Sequence, residues 1–378
     1  MRESQKSKIK SQKVFDYLII GGGIAGLSTA YHLAKDGHKV ALMDKENCLN
    51  NASFNSTAIT SRDPDADWEA IIKKFGWEGA KALWNLGERS LDLLTEYSMA
   101  TRPSFKTERL PALIYSPSSK TDKELKEHYE LYHKLGARVV LEKNGAKIHP
   151  SFSSALTLEN EGQSNNQAIL KTLMPAVRKN GGKIFKYQTA VSLEKSGDAY
   201  DVKTKEGKTF QADNVVLATG EGDLRPEIKK LTKRMRTFVV AFEKKKVPEL
   251  FREAVLWDVL EPYHYIRTFR GRYIWVGGND IEDKNYDSKK DYYADLKKYA
   301  KDFLKFGSEY KFSFSWTGTF YNSPLGLPYI DKLSGENIYV NLGFGGTGIL
   351  MSFFSGHLLA SWLKNKEKEC QKYFKLDR

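Results

Sequence analysis

The stretch Tyr17–Asp44, YLIIGGGIAGLSTAYHLAKDGHKVALMD, decides the fold. It continues an apolar strand from Phe15 to Ile20. A glycine turn, an amphipathic helix and a second apolar strand ending on a carboxylate follow. Gly21, Gly23 and Gly26 give the spacing G-x-G-x-x-G. Gly21 permits the tight turn out of the strand. Gly23 lacks a Cβ, so a pyrophosphate can approach the backbone, and Gly26 lets the helix lie close on the sheet. The pyrophosphate then meets a helix N-terminus, where free N–H groups and the helix dipole favour an anion. Asp44 lies about twenty residues on, where it can accept hydrogen bonds from ribose hydroxyls. Ala30, Leu33, Gly37 and Val40 are suited to packing helix on sheet. The full context is that of a dinucleotide site, and its place early in the chain favours FAD.

The chain around this unit has 378 residues, too many for one small core and suited to two domains. Charged residues make up 28% and hydrophobic ones 40%, the balance of a soluble globular protein rather than a disordered one. The longest apolar runs, such as Tyr17–Ile20 and Val215–Ala218, are too short for a transmembrane segment. The opening MRESQKSKIKSQK is basic and lacks the apolar core of a signal peptide, so it reads as a frayed tail. Cys48 and Cys370 are the only cysteines. They offer neither a disulfide framework nor metal-ligand spacing, which points to a cytoplasmic location and no metal.

The net charge of +13, from 60 Lys+Arg against 47 Asp+Glu, would suit nucleic acid, an anionic membrane or an acidic substrate. The basic residues are spread over Lys120–Lys126, Lys229–Arg234, Lys244–Lys246 and Lys297–Lys305, many interleaved with acids. That is the pattern of a solvated basic surface. With no zinc finger and no aromatic-basic signature, no nucleic-acid partner is expected.

Further along, the polar loop KENCLNNASFNSTAITSRDPDADW follows Asp44 and offers hydrogen-bond groups to a ligand. Helical spacing predicts helices over Trp77–Tyr97, Asp122–Leu135 (closed by Gly136), Gln167–Lys179 and Lys290–Phe306. Strands are predicted at Leu113–Tyr115, Lys183–Tyr187, Ala190–Lys195, Ala199–Thr204 and Phe210–Ala212. The last leads into the buried strand of ADNVVLATG, whose small residues Ala218, Thr219 and Gly220 let backbone pass close to the cofactor. Thr237–Phe242, Ala254–Trp257, Tyr263–Phe269 and Tyr273–Gly277 look like antiparallel strands of a second domain. The expected division is discontinuous: 14–100, 151–225 and 312–378 for the dinucleotide domain, 101–150 and 226–311 for a cap.

A second glycine cluster, Gly343, Gly345, Gly346 and Gly348 with Thr347 among them, follows the strand Ile338–Leu342 and precedes an apolar helix. It reads either as a hinge or as a second place for close backbone approach. At a flavin, a helix N-terminus there would stabilise negative charge on the reduced ring.

With these blocks in view, the chain resembles the D-amino acid oxidase-like FAD-dependent oxidoreductases, the group of glycine oxidase, sarcosine oxidase and γ-glutamylputrescine oxidase. Gly21–Asp44 matches the family's fingerprint, with Asp44 where Glu is commoner. Ala52-Ser53 matches its A-S loop near the flavin, although the following FNSTA departs from the usual glycine-bearing pattern. VVLATG (Val215–Gly220), WTGTFYNSPLGLPYID (Trp316–Asp331) and GFGGTGIL (Gly343–Leu350) resemble its other flavin-binding blocks. The resemblance implies an α/β fold, a Rossmann-like FAD-binding domain with an antiparallel-sheet substrate domain. It implies cofactor contacts from Gly21, Gly23, Ile24, Ala25, Gly26, Asp44, Lys45, Ala52, Ser53, Val191, Ala218, Thr219, Gly220, Gly343, Gly345, Gly346, Thr347 and Gly348.

The block LWDVLEPYHYIRTFRGRYIWVGGND (Leu256–Asp280) looks most like the amine-oxidising branch. Tyr263, Tyr265 and Arg267 share one strand face. If that face lines the substrate cavity, Arg267 holds a substrate carboxylate and the tyrosines shape the pocket; otherwise Arg267 is a structural ion-pair residue and the tyrosines belong to the cap core. Gly277 and Gly278 either adjoin the cavity or only form a tight turn. The expected function is oxidation of a C–N bond of a small-molecule amine or amino acid by hydride transfer to flavin N5, giving an imine. The alternatives are a 2-hydroxy acid dehydrogenase, with a histidine such as His264 as base, or a non-catalytic flavoprotein docking through its basic surface. The electron acceptor stays open.

Overall fold

Apolar strands alternating with helices build a mixed sheet in the order Tyr329–Lys332, Ile338–Leu342, Thr209–Leu217, Phe15–Ile20, Val40–Asp44, Lys183–Lys186. A computed structural model describes residues 14–101, 106–220 and 224–378; the tail at 1–13, expected to fray, lies outside the described residues. All neighbours in this order are parallel except the edge pair Tyr329–Lys332 and Ile338–Leu342. The hairpin of Ala190–Ser196 and Ala199–Thr204 joins antiparallel to Thr209–Leu217. Val40–Asp44 and Ile338–Leu342 are buried at every position. Strands covered on both faces need unbroken apolar runs, which is why these segments do not alternate.

The helix Ile24–Lys35 packs against the helix Gly348–Leu363 on one face of this sheet. A Cβ on Gly356 would stand 2.4 Å from the Thr29 amide nitrogen, so the two backbones nearly touch. Four parallel strands end together: Ile20 leads to Gly21, Asp44 to Lys45, Leu217 to Ala218 and Leu342 to Gly343. Ligands of open α/β sheets bind outside such carboxyl ends.

The second sheet runs Lys311–Asn322, Lys233–Glu243, Tyr273–Glu282, His264–Phe269, Val255–Asp258, Glu108–Ser116, Ser154–Gln163, Val139–Glu142. It is antiparallel apart from the pairing of Val255–Asp258 with Glu108–Ser116. Phe238, Val240, Leu256, Ile266, Ile274 and Val276 pack with Leu296 of the helix Tyr292–Asp302 on one face. The other face looks toward the ends of the parallel strands.

Three expectations change here. Ser154–Gln163 and Lys311–Asn322, assigned to the dinucleotide domain, pair within the second sheet. The chain crosses between sheets more often than composition reveals. Gly277 and Gly278 are not a turn but sit inside the strand Tyr273–Glu282, opposite Tyr265 and His264. The helix expected at Trp77–Tyr97 begins at Trp68, with a break at Gly76, whose φ of 70° interrupts it. Asp122–Leu135 ends as expected on Gly136 in a left-handed conformation. Among the described residues no helix is long and apolar enough to cross a membrane.

Candidate active site

A cavity of about 1360 Å³ opens between the strand ends of the first sheet and the inner face of the second. One end is built by the glycine turn. Gly21, at φ 112°, has no room for a side chain: its Cβ would fall 2.3 Å from the Ala218 carbonyl. Asp44 Oδ2 accepts from the Gly22 amide at 2.6 Å and Oδ1 from the Glu46 amide at 2.8 Å, so the carboxylate shapes the turn as well as bordering the cavity. Behind Gly22 lies the Cys48 thiol. It is fully buried, and burial together with Asp44 pushes it up to about 12, an inert neutral group.

Gly23, Ala25, Lys45, Ala52, Ser53, Ala218, Thr219 and Gly220 line this end, with Gly343, Gly345, Gly346, Thr347 and Gly348 beside them. Ile24 and Gly26 do not line it. The Ile24 side chain is buried in the core, and its amide donates to Ser53 Oγ at 3.1 Å. A Cβ on Gly26 would lie 1.9 Å from the Gly21 carbonyl, so this glycine serves helix-to-turn packing. Val191 is also off the cavity. Its side chain is 55% exposed, while its neighbours Gln188, Thr189 and Ala190 form the wall. Alternation along a strand turned Val191 outward.

The loop after Asp44 is held from several sides. Asn51 caps the short helix Ala52–Asn55 and its Nδ2 reaches the Cys48 carbonyl at 3.2 Å. Asn166 Nδ2 donates to the carbonyls of Ser53 (2.7 Å), Phe54 (2.7 Å) and Ser56 (2.9 Å). Trp316 Nε1 donates to Asn55 O at 2.8 Å. A buried pair, Arg62 with Glu161 at 3.0 Å, ties the next residues to the second sheet.

At this end of the cavity, and among the described residues, the buried polar atoms Gln188 Oε1, Asn341 Oδ1 and Thr347 Oγ1 have no partner. Orphaned buried polar atoms are rare, and these are placed to meet polar groups of a ligand. Thr347 stands at the N-terminus of the helix Gly348–Leu363 without capping it. Glycine clearance at Gly21–Gly23, the helix N-termini and these atoms together fit a flavin dinucleotide.

The other end of the cavity has a different chemistry. Tyr263 and Tyr265 line it, with Trp257 beside them. Tyr265 Oη lies 3.0 Å from Thr237 Oγ1, and its ring occupies the space where a Gly277 Cβ would be, 2.3 Å away. That fit is why a glycine stands mid-strand there. Tyr263 donates to Asp280 Oδ2 at 3.0 Å. Burial and the nearby carboxylates hold both phenols well above their usual range, as neutral hydroxyls.

Sequence reasoning missed the carboxylates. Asp280 Oδ1 is buried without a partner, and burial raises its carboxyl to about 6. Asp65 has a left-handed backbone (φ 60°). It is solvent-accessible through the cavity, yet the protein around it, with Asp63, Asp280 and Glu261, raises it to about 7. Asp63 itself is satisfied by Trp68 Nε1 (3.0 Å) and the Tyr132 hydroxyl (2.8 Å). His128 lines the same wall, with Nδ1 buried and unpartnered and its pKa lowered by burial. The string of acids in SRDPDADW was the available signal, but a polar loop gives no cue to which side chains turn inward.

Arg267 does not reach this cavity. It is 3% exposed, and its guanidinium donates to the carbonyls of Thr57, Ala58 and Ser164, the last two at 3.2 and 3.0 Å. It lies 5.1 Å from the centre of the Trp275 ring. Arg267 shares the strand face of Tyr265, but two residues further along is roughly 7 Å, enough to carry it behind the loop. Arg267 is therefore not placed to clamp a substrate in this cavity. It is also not an ion-pair residue but a bracket for main-chain carbonyls. His264 faces away too: its Nδ1 is 2.9 Å from Asp258 Oδ2 and its ring stacks on Tyr299.

Comparison with known proteins agrees with this architecture. The chain is 26% identical over 204 residues to the putative Rieske 2Fe-2S iron-sulfur protein YhfW of Bacillus subtilis, covering 54% of this chain and 40% of that protein. It thus spans well under half of that relative. It is 23% identical over 365 residues to γ-glutamylputrescine oxidoreductase of Escherichia coli, covering 92% and 83% of the two chains. The crystal structure of glycine oxidase from Geobacillus kaustophilus superposes with a TM-score of 0.79 at 19% identity, over 94% of this chain and 96% of that one. Residues 16–362 match the family described as DAO, FAD dependent oxidoreductase. The chain belongs to that family, and FAD is its cofactor.

Proposed function

We propose that this protein oxidises the C–N bond of an amine or amino acid, releasing an imine that water hydrolyses. The observation that carries the reading is the continuity of one cavity from the dinucleotide turn to an inner chamber of aromatic and carboxylate side chains, joined at the Gly343–Gly348 turn. FAD, when bound, supplies a two-electron acceptor for the hydride leaving the carbon beside nitrogen. The chain's own residues do the rest. Tyr263, Tyr265 and Trp257 wall the chamber and orient the substrate, and the helix N-terminus at Thr347–Gly348 favours negative charge at its mouth. An amine must be unprotonated to release hydride. Asp65, pushed up to about 7 by the protein packed around it and by its acidic neighbours, can take the ammonium proton.

The named activities of γ-glutamylputrescine oxidoreductase and glycine oxidase, both on C–N bonds, support this reading. Oxidation of a hydroxy acid would need a base other than His264, which is engaged by Asp258 and does not line the cavity. The test is anaerobic mixing of the purified flavoprotein with a panel of amines, amino acids and 2-hydroxy acids. Bleaching of the visible flavin band by amines alone is expected. Bleaching by hydroxy acids alone, or by nothing in the panel, would overturn the reading.

A further inference from the structure

Tyr265 stands directly opposite Gly277 of the neighbouring strand Tyr273–Glu282, on the sheet face that borders the cavity. Its ring does not rise from the sheet. It lies across Gly277, and its hydroxyl comes 3.0 Å from Thr237 Oγ1 on the next strand over, Lys233–Glu243. Strands lie about 4.8 Å apart, so a side chain that crosses a whole strand must run nearly parallel to the sheet. A Cβ on Gly277 would fall 2.3 Å from Cζ, 2.4 Å from Cε2 and 2.5 Å from Oη of that ring. Carbon atoms in contact sit about 3.5–4.0 Å apart, so the ring end would have to move by about 1 Å or more.

The backbone beneath the ring has nowhere to retreat. The strand Tyr273–Glu282 is hydrogen-bonded on both sides, to Lys233–Glu243 and to His264–Phe269. Ile274 and Val276 pack its other face into the core. Gly278 fits as closely as Gly277: its Cβ would lie 2.3 Å from the Tyr263 carbonyl oxygen. Just beyond, the register shifts between Arg236 and Phe238 of the paired strand. That bulge turns Asn279 outward, where it donates to the Tyr292 carbonyl at 3.2 Å, and Asp280 to the side of Tyr263. The ring is therefore the part that moves, and the open direction is the cavity.

The rest of this floor is low as well. Thr237 and Gly318 pair in register on the next two strands, and both border the cavity. Trp257 pairs with Tyr265 on its other side, and the Tyr263 ring centre is 6.1 Å from that of Tyr265. The chamber has aromatic sides above a lowered floor, a shape that suits a broad apolar group.

Resting on the amine-oxidising reading, we propose that Gly277 determines substrate size: by letting Tyr265 lie flat it sets the depth of the chamber. That depth receives a branched or ring-bearing apolar group on the nitrogen-bearing carbon of the substrate. Gly277 is a positioning residue, acting through Tyr265.

The test follows anaerobic flavin reduction by amines and amino acids of graded width, from methyl and n-alkyl to isobutyl, benzyl and naphthylmethyl. It uses wild type, Gly277→Ala, Tyr265→Ala and the double variant, each checked for full FAD content. Wild type should accept isobutyl- or benzyl-bearing substrates at least as well as methyl-bearing ones. Gly277→Ala should lower the bulky-to-small efficiency ratio at least about tenfold, the scale of one methylene of room in a pocket. Where Tyr265 is already Ala, the same change should leave the ratio unmoved, because no ring remains to lift. A crystal structure of Gly277→Ala should show the Tyr265 ring off Thr237 and displaced into the cavity. Equal slowing of small and bulky substrates, the same effect with and without the ring, or a ring still seated on Thr237 would overturn the assignment. So would a wild type that accepts small substrates and rejects bulky ones. Tyr265→Ala alone should shift the ratio toward the widest substrates; no such shift would overturn the assignment even if Gly277→Ala failed to fold. If no amine reduces the wild-type flavin, the amine reading fails, and the ring position in Gly277→Ala still decides the depth assignment.

Discussion

Tyr263, just ahead of the strand His264–Phe269, donates its hydroxyl at 3.0 Å to Asp280 Oδ2 on the neighbouring strand Tyr273–Glu282, and Asp280 Oδ1 is buried. Burial rather than this contact sets the character of the chamber, since the hydrogen bond by itself lowers the Asp280 carboxyl. The phenol is held neutral, the carboxyl is raised to about 6, and Asp65 beside them is raised to about 7. The chamber is therefore a titrating site rather than a fixed charge.

The first prediction concerns pH. Below their raised values the two acids are neutral and can neither attract an ammonium nor accept its proton; above them they do both. Flavin reduction at low substrate should therefore fall on acidification, with its midpoint between about 6 and 7. Because the groups interact, the midpoint belongs to the pair. Asp65→Asn should slow reduction and flatten this limb. An unchanged limb in that variant would remove Asp65 from the proton path.

Asp65 carries a linked effect on stability. Its folded value lies above the ordinary 3.8, so its favourable contribution is complete below that value and is lost as pH rises through about 7. Asn tolerates the left-handed backbone at this position. Asp65→Asn should therefore raise the Tm of the FAD-free protein, and more at about pH 8 than at about pH 5. A smaller gain at the higher pH would show that the carboxylate is not penalised.

Gly23 and Gly26 should respond differently. A Cβ on Gly23 meets only Ser53 Oγ at 3.2 Å, whereas one on Gly26 strikes the Gly21 carbonyl. Gly23→Val should fold but lose FAD, and with it the stabilisation that bound ligand gives by mass action. Gly26→Val should lower the Tm even of FAD-free protein. Thermal melts with and without added FAD separate the two. Full FAD occupancy in Gly23→Val would show that the loop is misassigned.

Arg267→Ala should act on stability rather than on substrate choice. It removes donors from the Ala58 and Ser164 carbonyls and leaves them buried, at a cost of about 2–4 kcal/mol. Denaturant melts measure that loss. Relative rates on carboxylated and uncarboxylated amines should stay in the same ratio; a selective loss on carboxylated amines would restore Arg267 as a clamp.

Arg62→Ala should break the buried pair with Glu161 that ties the Asp63–Asp65 loop to the strand Ser154–Gln163. Leaving Glu161 uncompensated costs about 3–5 kcal/mol. A change within about 0.5 kcal/mol of wild type, the scale of an ordinary surface site, would show that the loop is held by its other contacts.

The dinucleotide half was legible in the chain because its determinants are contiguous. A strand, three glycines, a helix and an acid within Phe15–Asp44 specify their own geometry, and Gly343–Gly348 does the same at the second turn. Period-two alternation likewise told that Tyr263 and Tyr265 share a face. What it could not tell was how far along that face the cavity extends, so Arg267 was placed within it and lies beyond it. Val191 was lost by one residue of register, and Gly277 proved to be room for a ring rather than a turn. The acids that give the chamber its character come from a loop at Asp63–Asp65, a strand at Asp280 and a helix at Glu124, segments far apart in the chain. Each alone reads as ordinary solvated charge. Only folding carries them to one wall of one cavity and, by packing protein around Asp65 and Asp280, raises those two carboxyls.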